Sequence, residues 1–207
     1  GYAVSSLARH RFSVDLDIVI QRKELRRFGE VLKKNGFEKQ IEKAGFDEVY
    51  GGEFISYLKR VDNLQISVDL LVDSLVCRAT NASWSFDYIR KHSVVADIAG
   101  MEMVVKCRVP EKELLIASKI HSGRRADIRD VVVLMERADL GKVTDHLKRG
   151  DLKRLRGQID GIAKALRDER LMDSLKGVFA ISTNVSEQIE NARRNIEEVV
   201  EKIFKRT

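Results

Sequence analysis

The chain has 207 residues, of which 43% are hydrophobic and 34% charged, and it carries a formal net charge of +6. That length leaves room for one sizeable core and a smaller appendage, and the composition is that of a globular rather than a disordered chain. No apolar run is long enough to span a membrane and no signal-like segment is visible, so the expected compartment is the cytoplasm; the positive excess suits polyanionic partners without requiring them.

Near the amino end, Ser5, Ser6 and Arg9 read as a short helix. The stretch from Arg11 to Ile20 follows and alternates along an expected strand. Ser13, Asp15 and Asp17 look one way, while Val14, Leu16, Ile18 and Ile20 look the other. Two carboxylates side by side resist joint ionisation unless a cation lies between them. Mg²⁺ prefers hard oxygen ligands and shares them readily with substrate phosphates, so the pair points to magnesium. Residues 24 to 35 carry Leu25, Phe28, Val31 and Leu32 at helical intervals before Gly36. Residues 53 to 59 and 65 to 72 read as adjacent strands about an Asp62-Asn63 turn, and the second places Ser67 and Asp69 on one face. If it lies beside the first strand, Asp69 joins Asp15 and Asp17. Three such carboxylates can hold two metals about 3.5–4 Å apart for in-line displacement at phosphorus. The bland alternative is three solvated acids on an exposed strand face.

Residues 93 to 98 and 101 to 107 read as a hairpin about Ala99-Gly100, and from Pro110 onward helix signals dominate. Pro110 suits a first helical position and Gly123 a helix end. Lys119 sits on that apolar helix, Arg124 and Arg125 in the turn after it, and Asp127 and Asp130 three apart on the next helix. His121 has no His or Cys at ligand spacing and reads as structural. A basic cluster (Lys148, Arg149, Lys153, Arg154 and Arg156) reads as a solvated face. Residues 151 to 167 and 185 to 205 carry apolar stripes suited to an antiparallel helical pair, which could instead dock a partner. Cys77 and Cys107 are too few and too far apart for a disulfide scaffold and are expected to be reduced.

Taken together, Gly1-Tyr-Ala-Val, then Arg11, Ser13 and the Asp15-Leu-Asp17 pair, with Asp69 later, resemble the opening of the DNA polymerase β-like nucleotidyltransferase superfamily. Lys119 followed by Arg124, Arg125, Asp127 and Asp130 makes the chain look most like the AbiEii type, which includes toxins of toxin–antitoxin pairs. The resemblance spans roughly residues 1 to 137. It implies an α+β fold, with a catalytic core of mixed sheet over 1–108 and a helical region over 109–207 that completes the site and forms a bundle. It departs from the family at the start, where Gly1 stands alone instead of a glycine pair, and the expectation is that residues precede it. By the resemblance, Asp15, Asp17 and Asp69 bind Mg²⁺, two ions being expected, and act with Lys119 in catalysis. Gly1, Ser13, Lys119, Arg124 and Arg125 are expected to contact an NTP, with Asp127 and Asp130 contacting it or orienting the cations. The implied partners are RNA such as a tRNA 3′ end and a cognate antitoxin. The alternatives are nucleotide transfer onto a protein hydroxyl and a non-catalytic module that binds nucleotide or nucleic acid.

Overall fold

A computed structural model of the chain describes residues 1–100, 103–181 and 183–204. It divides into two compact units that interleave in sequence, one formed by residue 1, residues 12–76 and residues 83–91, the other by residues 2–11, 77–82 and 92–207. The sequence reading placed its single boundary at 108, whereas contacts group everything from His92 onward with the helices.

The first unit is built on β1 (Asp15–Ile20), β2 (Glu38–Ala44), β3 (Glu53–Val61) and β4 (Leu64–Val72), in the order β1-β4-β3-β2. β1 runs parallel to β4, and β3 is antiparallel to both β4 and β2. The β3–β4 hairpin turns at Asp62, whose positive φ of 52° is a conformation Asp tolerates better than most side chains. One face of the sheet is apolar. Ile20, Ile55, Tyr57, Val68, Leu70 and Val72 form a buried cluster there, covered by Leu25, Phe28 and Leu32 of α2 (Leu25–Lys34). Val31, at the margin of that stripe, is 53% exposed. β2 is fully exposed and highly charged, which blunts an edge that would otherwise pair with another chain. After β4 the paired strands β5 (Ser74–Cys77) and β6 (Ala82–Ser85) lead into α3 (Phe86–Lys91).

The second unit holds α1 (Tyr2–Leu7), the antiparallel hairpin of β7 (Ser93–Ala99) and β8 (Val104–Pro110), and the helices α4 (Lys112–Ser122), α5 (Arg125–Leu134), α6 (Leu140–Leu147), α7 (Leu152–Ala165), α8 (Arg170–Phe179) and α9 (Val185–Phe204). α1 contains Ser5 and Ser6 but stops before Arg9. The expected second hairpin strand begins at Val104, and Met101, where the sequence reading started it, lies outside the described residues, as does Lys205. Pro110 closes β8 instead of opening the helix, because it still pairs with Ser93 in the hairpin and Glu111 takes the capping position. The expected pair of tail helices is α7 and α9, with α8 between them in the chain; their apolar stripes join α4, α5 and α6 in one core running from Val4 to Val199. That burial supports packing within the unit over docking of a partner.

A short loop is fastened into this core. Asp151 donates its backbone N–H to the Thr80 carbonyl at 2.7 Å. Gly150 makes that approach with φ of 66°, and a Cβ there would collide with the Thr80 carbonyl oxygen and lie 2.6 Å from the Ala82 nitrogen. Cys77 and Cys107 are both free thiols, and burial pushes the Cys77 thiol up to about 12.

Candidate active site

The sheet face opposite α2 carries the acids. Asp17 is the direct lateral neighbour of Asp69 across the parallel β1–β4 pairing, and Asp15 is that of Ser67. Because alternate residues share a face, Asp15, Asp17, Ser67 and Asp69 all point away from the apolar layer, as the sequence pattern required. Ser56 of β3 stands opposite Asp69 and donates its hydroxyl to Oδ1 at 2.6 Å. The Ser67 hydroxyl donates to Oδ1 of Asp15 at 2.8 Å. Each serine thus holds one carboxylate in place. Asp15 and Asp17 are exposed and Asp69 is half-buried, so the face remains open to solvent and to an ion. The three carboxylates are not drawn onto one point, as expected for like charges of which two, Asp15 and Asp69, are each held by a serine hydroxyl. Their hard oxygens on adjacent strands of one open face fit Mg²⁺. Ser13 directs its hydroxyl to the Asp15 carbonyl oxygen at 3.2 Å and so braces the strand entrance. Gly1 precedes α1 and groups with this unit.

In the second unit Lys119, Asp127 and Asp130 form a charge network of their own. Lys119 is only 14% exposed in its side chain, and its Nζ lies 2.7 Å from Oδ1 of Asp127 and 2.9 Å from Oδ2 of Asp130, each 1% exposed. The i, i+3 spacing on α5 turns both acids to the same side, toward the Lys119 helix. Ser122 and Arg124 each donate to Oδ2 of Asp127 at 2.7 Å. Arg11 donates from Nη2 to Oδ2 of Asp130 at 3.1 Å, while its Nε makes a 3.0 Å ion contact with Oδ1 that lies off the hydrogen-bond line. Burial alone would raise the Asp127 carboxyl, but Arg124, Lys119 and Ser122 outweigh it and hold it at about 2. In the structure Asp127 pairs with Lys119 and Arg124, and Asp130 with Lys119 and Arg11. Arg11, quoted only as part of the opening motif, proves to be a member of this network. Arg125 opens α5 and is exposed.

His121 is structural, as expected. Its Nε2 donates to the Leu147 carbonyl at 3.2 Å, which leaves Nδ1 to accept from the Thr80 hydroxyl at 2.7 Å. This is the neutral tautomer, and burial pushes its pKa down to about 4. Three members of the basic cluster after it, Lys148, Arg154 and Arg156, pair with Asp145, Asp151 and Asp160.

One constellation has no precursor in the sequence reading. His92, Glu111 and His146 bring a ligand atom each within 4.8 Å of one another, a group able to hold a metal ion among the described residues. His92 and Glu111 are 19 residues apart and Glu111 and His146 35, so no motif spacing announces them.

No family profile and no curated protein matches this chain. Two solved structures are similar to it along most of its length. One is JHP933 from Helicobacter pylori, 16% identical, covering 98% of this chain and 82% of its own, with a TM-score of 0.42. The other is described as a "putative nucleotidyltransferase" from H. pylori, also 16% identical, covering 95% of this chain and 81% of its own, with a TM-score of 0.39. Likeness of that depth leaves the functional reading to rest on the residues themselves. No helix among the described residues is long and apolar enough to cross a membrane.

Proposed function

We propose that this chain is a nucleotidyltransferase of the AbiEii type, which moves a nucleoside monophosphate from an NTP to an acceptor hydroxyl on RNA, such as a tRNA 3′ end, and acts as a toxin restrained by a cognate antitoxin. The supporting observation is the lateral pairing of Asp17 with Asp69, with Asp15 two residues along the same open face.

Asp15 and Asp17 would hold Mg²⁺ for the triphosphate, and Asp69 with Asp17 would hold it for the acceptor. Magnesium bound there supplies Lewis-acid polarisation of phosphoryl oxygens and makes the acceptor hydroxyl easier to deprotonate. Ser56 holds Oδ1 of Asp69, and in this reading that carboxylate takes the acceptor's proton as general base. Ser67 likewise holds Oδ1 of Asp15 on the donor side. Protein groups do little covalent work in phosphoryl transfer, so placement and charge carry the rate.

The test mixes each α-labelled NTP with total RNA, purified tRNA and lysate protein, with and without Mg²⁺. Label is expected on RNA, dependent on Mg²⁺ and reduced by roughly a hundredfold or more in Asp17→Ala. Label on protein alone would move the acceptor to a side-chain hydroxyl. Label in none of the mixtures would refute transfer.

A further inference from the structure

We propose that His92, Glu111 and His146 form a binding site for a divalent transition metal, Zn²⁺ by preference, separate from the aspartate face and built entirely within the second unit. His92 Nδ1 lies 2.9 Å from Glu111 Oε1, and His146 Nε2 lies 3.1 Å from the same oxygen. Two imidazoles converging on one carboxylate is the donor set of open zinc sites with two histidines and a glutamate, and of facial triads for other first-row metals.

The scaffold holds these donors firmly. His92 immediately precedes β7 and Glu111 immediately follows β8, so the hairpin ladder that pairs Ser93 with Pro110 sets them side by side. Their backbones are joined as well, Glu111 donating its N–H to the His92 carbonyl at 2.9 Å. His146 comes from the last turn of α6, and its side chain is buried. The rings of His92 and His146 meet edge to face with centroids 4.8 Å apart. Ligand bonds of about 2.0–2.1 Å in a tetrahedron put donor atoms about 3.4 Å apart. The two nitrogen-to-oxygen separations are already slightly shorter than that, so the ion enters as the rings turn slightly and each imidazole takes the tautomer whose proton sits on its other nitrogen, leaving the nitrogen beside Glu111 free to ligate. His92 is 29% exposed in its side chain, which leaves an approach for the ion and a coordination position for water.

Charges around the cluster work in both directions. Burial and the neighbouring His92 favour the neutral, ligating form of His146, while hydrogen bonds from His92, His146 and Lys142 overcome burial and keep Glu111 in its carboxylate form. Lys142, one turn before His146, places its ammonium 3.3 Å from Glu111 Oε2 and opposes a cation. It is exposed on a flexible stem, with Glu113 and Asp139 near it, and can swing away. Arg149 adds further positive charge near His146.

The experiment strips the full chain with chelator and titrates it with Co²⁺ and then Zn²⁺ in excess Mg²⁺, reading visible absorption, bound metal by mass spectrometry and Tm. Expected are one ion per chain, the intense cobalt bands of a low-coordinate nitrogen-containing site, and a Tm that rises with Zn²⁺. His92→Ala, at the most exposed ligand, should weaken binding by roughly tenfold or more, since even outer partners of metal ligands are worth about 10–100-fold. Lys142→Met should tighten it, and Asp15→Ala with Asp17→Ala should leave it unchanged, which separates this site from the aspartate face. Absence of stoichiometric cobalt binding in the wild-type chain overturns the proposal, as does an unaltered cobalt spectrum in a folded His92→Ala.

Discussion

His121 makes the fold acid-sensitive in a definable window. Its ring is fully buried and neutral, with a folded pKa of about 4 against an ordinary value of 6.5. Below pH 6.5 the unfolded chain takes up a proton that the folded chain refuses, so the stability contributed by the neutral ring is complete above 6.5 and drains away as pH falls toward 4. The difference corresponds to about 3 kcal/mol. Urea unfolding at pH 7 and pH 4.5 should show that loss, and His121→Gln should flatten it; an equal pH dependence in both proteins would refute the assignment. His146 is shifted in the same direction and adds to the trend. At this scale the aspartates were legible because period-two alternation assigns a face without any tertiary knowledge, and the β1–β4 register kept Asp17 beside Asp69. Pairing of Asp127 and Asp130 with Lys119 was one of several readings left open, since helical spacing fixes a common side but not what that side meets. The His92–Glu111–His146 cluster was invisible for the opposite reason, being made by a hairpin end and a helix turn that only packing brings together.

Among the elements, the tightest joint is the one at Gly150. Gly150→Ala places a methyl group into the Thr80–Ala82 backbone and forces a positive φ on an L residue, and it should cost about 2–5 kcal/mol in equilibrium unfolding. Gly157, inside α7 with nothing within 4 Å of its would-be Cβ, should gain up to about 1 kcal/mol from the same change. If both substitutions shift the midpoint alike, the joint at Gly150 is not what the geometry says. Strands β1, β3 and β4 and helix α2 could be read from the chain because each couples a buried stripe to a regular period. β2 could not, since an edge strand of Glu, Lys and Gln has no apolar alternation to betray it. Pro110 misled by two positions because a proline suits a strand's last residue as well as a helix's first. α8 went unread although Leu171, Leu175 and Phe179, buried at i, i+4 and i+8, carry helical spacing.

Across the whole molecule, sequence order and spatial order diverge. The first sheet joins a local hairpin, β3–β4, to a strand that lies far upstream, so the hairpin is the cheaper contact to make first and β1 must close a long loop to join it. Ile55→Val in β3 should therefore slow folding, whereas Ile20→Val in β1 should mainly speed unfolding, each change costing about 1 kcal/mol. Stopped-flow folding and unfolding limbs for the two variants would check this, and a slowed folding limb for Ile20→Val would count against a late β1.

The parallel seam between β1 and β4 also bears on the newborn chain. While the ribosome is still extending β3, Asp15 and Asp17 have already been made but the strand that will carry Asp69 has not. Until β4 has been made and paired, the three carboxylates cannot share one face, so any metal-dependent chemistry proposed for that face has to wait for the parallel seam to close.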